Sequence, residues 1–117
     1  MNEFLNLKYR AEEYVYVMGL DTKGNILGIF ELSHGSVDCS IVSVREIFTR
    51  LLLCGTSKFI MAHNHPSGDP SPSSEDIEVT SRLKSAGEML QISLVDHIII
   101  GEDHYFSFKE DELRKES

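Results

Sequence analysis

The sequence predicts an α/β fold: a mixed β-sheet flanked by helices packed on it. Three observations carry this reading. Tyr14–Leu20 and Ile26–Leu32 are rich in β-branched and aromatic residues and flank a turn-forming stretch, Asp21-Thr22-Lys23-Gly24-Asn25, the pattern of a hairpin. Two later stretches space their apolar residues as helices do, one on each side of a wholly apolar run, Phe59–Ala62. A second apolar run, Ile92–Ile100, then leads into a closing hairpin. The order is ββ(β)-α-β-α-ββ, which stacks helices on a sheet.

Residues 1–12 are weakly patterned. The first hairpin turns at Gly24, which supplies the positive φ the turn needs. Ser33-His34-Gly35-Ser36 breaks the second strand, and Val37–Ile41 reads as a third. Ser43 caps the next helix, with Glu46 three residues on as its capping-box partner. Val44, Ile47, Phe48, Leu51 and Leu52 form one apolar stripe, and Gly55 ends the helix. Phe59–Ala62 is apolar at every position, as a central strand covered on both faces should be. A helix follows over Ser74–Leu90, with Val79, Leu83, Ala86 and Leu90 on one face. Ile92–Ile100 is a strand interrupted only by Ser93, Asp96 and His97; Gly101–His104 turns the chain and Tyr105–Phe108 returns. The charged tail from Lys109 is expected to fray.

A chain of 117 residues makes one domain, able to hold a single core without staples. It shows no internal repeat and no linker. The net charge is −8 and no block of Lys or Arg occurs. A surface that tracks phosphates needs clustered positive charge, so negligible binding to duplex DNA is expected. Cys39 and Cys54 form no CxxC and lie among apolar neighbours, reading as buried thiols in a reducing compartment. The N-terminus lacks the basic-then-apolar pattern of a signal peptide, and no apolar run approaches the ~18 residues of a membrane span. A cytoplasmic protein is expected.

The stretch Met61–Asp76 holds all three prolines and the densest chemistry. His63 and His65 are two apart, which on an extended backbone sends both imidazoles to one side. Asp76 stands just inside the following helix. Two imidazoles and a carboxylate suit Zn²⁺ with a fourth position left for water. The same residues have plainer uses. The histidines could bond backbone groups in the loop, and Ser73 with Asp76 fits a capping box. An Asp76 that coordinates would leave capping to another group. Gly68 and Asp69 shape the loop. Asp96 and His97 alternate across their strand, so one of them points to the site side. It either holds a ligand imidazole by its free nitrogen or belongs to a satisfied polar pair. His34 and His104 sit at turns on the surface, and Glu75 is a solvent-facing acid of the helix's first turn.

The spacing His63-Asn64-His65, then Pro66 to Pro72, then Ser73, then Asp76 resembles the signature of the JAB/MPN metalloprotease family, the JAMM motif. The string His63–Pro70, the segment Leu94–Gly101 and Tyr105–Phe108 resemble the RadC branch of that family, and the likeness runs from about Glu13 to Phe108. It implies the JAB/MPN architecture, related to the cytidine-deaminase-like fold. It also implies a zinc-dependent metallopeptidase or isopeptidase-like hydrolase, in which metal-bound water attacks an amide carbonyl of a peptide or isopeptide substrate. His63, His65 and Asp76 would be the metal ligands, about one Zn²⁺ per chain, and Ser73 the donor to the oxyanion. The family's base is a Glu upstream of the histidines, near the start of a strand beside the metal. Glu13 fits that place, Glu12 would face the other side, and Glu46 is the rival.

Departures from the pattern bound what carries over. Asn64 stands where isopeptidases of the family often have Ser or Thr, so ubiquitin-type specificity does not transfer. Zinc deaminases use His-x-Glu with a later Pro-Cys-x-x-Cys, absent here. RadC-type proteins also carry an N-terminal helix-hairpin-helix region, for which this sequence has no counterpart. The alternatives to a hydrolase are a DNA-repair, nucleic-acid-associated factor and an inert metal-binding interaction module.

Overall fold

The structure is a computed structural model that describes residues 14–33 and 43–116. Five strands, β1 (Val15–Leu20), β2 (Ile26–Ser33), β3 (Lys58–Asn64), β4 (Ser93–Ile100) and β5 (Tyr105–Ser107), form one sheet in the order β2-β1-β3-β4-β5. Three helices are described: α1 (Val44–Leu53), α2 (Ser74–Leu90) and α3 (Phe108–Glu116). β1 runs antiparallel to both β2 and β3, β3 is parallel to β4, and β4 is antiparallel to β5. The sheet is mixed, as the sequence predicts. A parallel pair needs a long crossover, and α2 supplies it between β3 and β4.

The first turn forms for the expected reason. The Asp21 carboxylate accepts the N–H groups of Lys23 at 2.9 Å and Asn25 at 2.8 Å, and Gly24 takes φ 89°. Alternation along the strands then makes two apolar faces. Val15, Val17, Phe59 and Met61 join Ile47, Phe48 and Leu51 of α1 and Val79 and Leu83 of α2 in one core. Met18, Leu20 and Ala62, with Tyr14, Tyr16, Ile60, Ile98 and Ile100 against them, make a second cluster. Phe48 meets Phe59 edge-on at 5.4 Å. Buried side chains of this size contribute about 1.5–3 kcal/mol each, enough for three anchors to hold a ten-residue helix that isolated propensity would not. Where α2 ends, a Cβ at Gly87 would stand 2.3 Å from the Ile92 carbonyl oxygen. Only glycine lets the helix lie this close to the chain entering β4.

Several expectations need correction. The tail past Lys109 does not fray: the last strand stops at Ser107, one residue short of its expected end, and α3 runs from Phe108 to Glu116. Its acids Glu110 and Asp111 lie in the first turn and its bases Arg114 and Lys115 in the last, as the helix dipole favours. Lys84 of α2 is bonded to Glu112 across the gap. Cys54 is exposed rather than buried, because it is the residue that caps the C-terminus of α1, where the chain turns outward through Gly55. Leu52 and Leu90 are also exposed. Leu52 lies a helical step round from Leu51, and Leu90 follows the Gly87 contact at the end of its helix. Only half of the Ser43–Glu46 capping box forms. The Ser43 side chain accepts the Glu46 N–H at 3.1 Å, but the Glu46 carboxylate pairs with Arg50 at 3.3 Å. Residues 1–12, Glu13, His34, the strand Val37–Ile41 and Cys39 lie outside the described residues.

Candidate metal centre

The site forms where β3 ends and α2 begins. His63 is the penultimate residue of β3 and completely buried, on the face that carries Phe59 and Met61. The chain then makes a loop pinned to the β4–β5 turn. The His65 N–H donates to the Ile100 carbonyl at 3.1 Å, the Gly68 N–H to the His65 carbonyl at 2.9 Å, and the Glu102 N–H to the Gly68 carbonyl at 2.9 Å. Gly68 has φ 87°, and a Cβ on Gly101 would come within 2.5 Å of the Gly68 carbonyl oxygen. These two glycines let the loop fold down onto the turn and bring Asp76 back to the histidines.

His65 Nδ1 lies 2.9 Å from the Asp69 carbonyl oxygen. A carbonyl only accepts, so the proton is on Nδ1 and the Nε2 of a neutral ring turns a lone pair inward. That nitrogen is 3.1 Å from His63 Nε2 and 3.1 Å from Asp76 Oδ2, while His63 Nε2 is 3.2 Å from Asp76 Oδ1. Ligands about 2.0–2.1 Å from a tetrahedral zinc ion stand roughly 3.3 Å apart. The three side chains match that spacing, and their donor atoms fit a divalent cation.

Asp76 also does what the sequence reading set against coordination. The Ser73 side chain accepts the Asp76 N–H at 3.1 Å, and Asp76 Oδ2 accepts the Ser73 N–H at 2.8 Å, a complete capping box. Capping does not turn the Asp76 carboxylate away from the two imidazoles. A carboxylate has lone pairs enough for one N–H and a second partner on each oxygen. Burial alone would raise the Asp76 pKa, but hydrogen bonds with the His63 and His65 rings, when these carry a proton on Nε2, and with the Ser73 N–H outweigh it and hold the carboxyl well below its usual range. Burial pushes the His63 imidazole down, against the opposing pull of Asp76. Burial, reinforced by His63, pushes His97 down to about 3.

His97 is the member of the Asp96–His97 pair on the site side. Its Nε2 is 2.8 Å from His63 Nδ1, and its Nδ1 is 2.6 Å from Thr80 Oγ1. Phe108 stacks on the ring at 4.9 Å and 11°. Asp96 instead accepts the Ser107 hydroxyl, its neighbour's N–H and the Lys109 N–H. Thr80 and Phe108 escaped the sequence reading. Thr80 lies one turn after Asp76 on the same helical face, which is a usable signal; Phe108 gives none.

The remaining candidates fall as follows. Ser73 is exposed at the start of α2, and Glu46 is exposed on α1 beside Arg50. His104 and Glu75 are exposed as expected. Asn64 is buried, and its Oδ1 accepts the Tyr14 N–H at 2.6 Å, while Val15 pairs with His63 across β1 and β3. No described helix is long and apolar enough to cross a membrane.

Together these features define an α/β domain with a buried His-His-Asp set compatible with a metal ion. The chain matches the family model of the RadC-like JAB domain over residues 1–113, and it belongs to that family. A UPF0758 protein of Alkaliphilus oremlandii is 49% identical over 107 residues, covering 92% of this chain and 46% of the relative. A UPF0758 protein of Thermotoga maritima is 48% identical over 103 residues, 88% of this chain and 46% of the relative. One from Desulfitobacterium hafniense is 46% identical over 104 residues, 89% of this chain and 46% of the relative. The chain spans about half the length of the curated relatives it matches.

Proposed function

We propose that this domain is a zinc-dependent metallopeptidase or isopeptidase-like hydrolase that cleaves an amide bond. The observation that carries the reading is the convergence of His63 Nε2, His65 Nε2 and the Asp76 carboxylate within 4.8 Å of one another, in a buried corner with JAMM spacing. Bound zinc would supply a Lewis acid, polarising a carbonyl and lowering the pKa of water to about 7. The protein's own groups supply the rest. The Ser73 oxygen accepts the Asp76 N–H, which leaves its hydroxyl proton free to donate to the oxyanion of a tetrahedral intermediate. Glu13 takes the proton of the attacking water and hands it to the leaving amine. Two features support that role. Glu13 directly precedes Tyr14, whose N–H is fastened to Asn64 between the two histidines. The strand that follows has Val15 registered on His63. The substrate is a peptide or isopeptide, since a net charge of −8 disfavours nucleic acid. We place the activity in the cytoplasm.

Elemental analysis of gently purified protein should find about one Zn²⁺ per chain. A metal-replete screen against peptide and isopeptide libraries, run beside a titration with duplex DNA, tests the class. Glu13→Gln should keep zinc and fold while hydrolysis drops about 100-fold or more. Unchanged hydrolysis would remove Glu13 from the mechanism and make Glu46→Gln the next variant. Full zinc occupancy with no cleavage anywhere in the libraries would favour an inert metal module. Micromolar DNA binding with a steep salt slope would favour the nucleic-acid reading.

A further inference from the structure

We propose that Thr80 and His97 are positioning residues that place the ring proton of His63 on Nδ1 and so keep its Nε2 open to a metal. This rests on the metal-site reading above and goes further, because it assigns a task to two residues outside the ligand set. The Thr80 hydroxyl has one proton. Its Oγ1 lies 2.9 Å from the Asp76 carbonyl oxygen, which can only accept, so the proton goes there. His97 Nδ1 stands 2.6 Å from the same Oγ1 and must then be the donor. A buried neutral imidazole carries one N–H, so His97 Nε2 is bare and accepts from His63 Nδ1 at 2.8 Å. His63 is completely buried as well, and its proton now sits on Nδ1. The Nε2 lone pair is left facing His65 and Asp76.

The opposite direction does not suit a metal-binding His63. A Thr80 proton aimed at His97 would leave Oγ1 and the Asp76 carbonyl oxygen lone pair to lone pair at 2.9 Å. It would also drive a proton onto His63 Nε2, in the position the metal needs. Phe108, stacked at 4.9 Å, holds the His97 plane, and the contacts with Thr80 Oγ1 and His63 Nδ1 fix which way its nitrogens face. One turn of α2 thus provides a ligand, Asp76, and through Thr80 sets the proton of another. Partners that orient a ligand imidazole typically affect metal affinity 10–100-fold.

Long-range ¹H–¹⁵N spectra of the imidazole rings, recorded on zinc-free and zinc-loaded chain, read the proton positions directly. Wild type and Thr80→Ser should both show His97 protonated at Nδ1 and bare at Nε2. Thr80→Val, equal in shape but without the hydroxyl, should lose that fixed pattern and bind zinc about 10-fold or more weakly. Thr80→Ser should bind much nearer to wild type. A His97 protonated at Nε2 in wild type overturns the inference, whether or not any variant folds. So does a Thr80→Val protein that keeps wild-type zinc affinity, or one that loses affinity while His97 keeps its proton on Nδ1. Failure of wild type to take up zinc would overturn the metal reading and this inference with it. That result is separable, because the ring spectra need no metal.

Discussion

Asp76 and Asp96 occupy matching corners of the molecule. Each carboxylate lies at the start of a helix with a serine beside it that accepts an N–H from the first turn, Ser73 for α2 and Ser107 for α3. Around Asp96 every polar neighbour is a donor: the Ser107 hydroxyl at 2.6 Å, the His97 N–H at 2.8 Å and the Lys109 N–H at 3.0 Å. Both oxygens of that carboxylate are bonded by donors of its own chain. Asp76 receives one backbone N–H, from Ser73, and otherwise faces two imidazole nitrogens. The His65 ring has spent its proton on the Asp69 carbonyl. The cap is common to both corners and distinguishes nothing. What distinguishes them is the balance of donors and acceptors: one corner closes, and the other gathers lone pairs that call for a cation.

The largest test of this contrast is a pair of isosteric variants. Asp76→Asn loses charge and a coordinating oxygen, so zinc affinity should fall about 100-fold or more, beyond what a supporting residue alone costs. Activity should partly return at high zinc. Asp96→Asn should leave zinc untouched and lower stability by about 1–3 kcal/mol, as hydrogen bonds to a charged group are lost. Zinc titration and denaturant unfolding on the same samples separate the two outcomes. Full metal retention in Asp76→Asn would reduce Asp76 to a cap and erase the contrast.

The sequence exposes the ligand set because it is local. His63 and His65 share a strand face, and Asp76 follows one loop later at a helix start, so spacing alone brings them together. The sheet was legible for the same reason, since each strand declares itself by its own composition. What supports the ligands is not local. Alternation shows that Asp96 and His97 separate, but only the packing of α2 on β4 shows that His97 is the one behind His63. The tail does not show itself as a helix because α3 has no apolar stripe. It is organised by Ser107 and Asp96, by ion pairs of Asp111 with Arg114 at 2.8 Å and Lys115 at 3.1 Å, and by the Lys84–Glu112 bond. Periodicity cannot reveal a helix held by charges and by a partner on another strand. Cys54 has apolar sequence neighbours, yet its exposure is decided by where α1 stops.

A smaller effect separates the two serines. Ser73→Ala removes a cap and the proposed oxyanion donor together. Stability should fall by about 1 kcal/mol, and hydrolysis about 100-fold, the range for loss of one such donor. Zinc content should not change. A loss of hydrolysis no larger than the loss of folded protein would assign Ser73 to capping alone.

Ser107→Ala gives the smallest expected change and asks whether the second corner is independent of the first. The variant loses the bond to the Glu110 N–H and the donor to Asp96 Oδ2. Asp96 still holds the His97 and Lys109 N–H groups through its other oxygen. The cost should be about 1 kcal/mol, that of a lost cap, seen as a lower denaturation midpoint. Phe108 begins α3 right after Ser107 and stacks on His97. If the stack survives on apolar contact alone, zinc affinity and hydrolysis stay at wild-type values. If zinc affinity weakens in step with stability, the α3 corner props up His97 through Phe108. The two carboxylates would then belong to one connected site rather than to two corners with separate tasks.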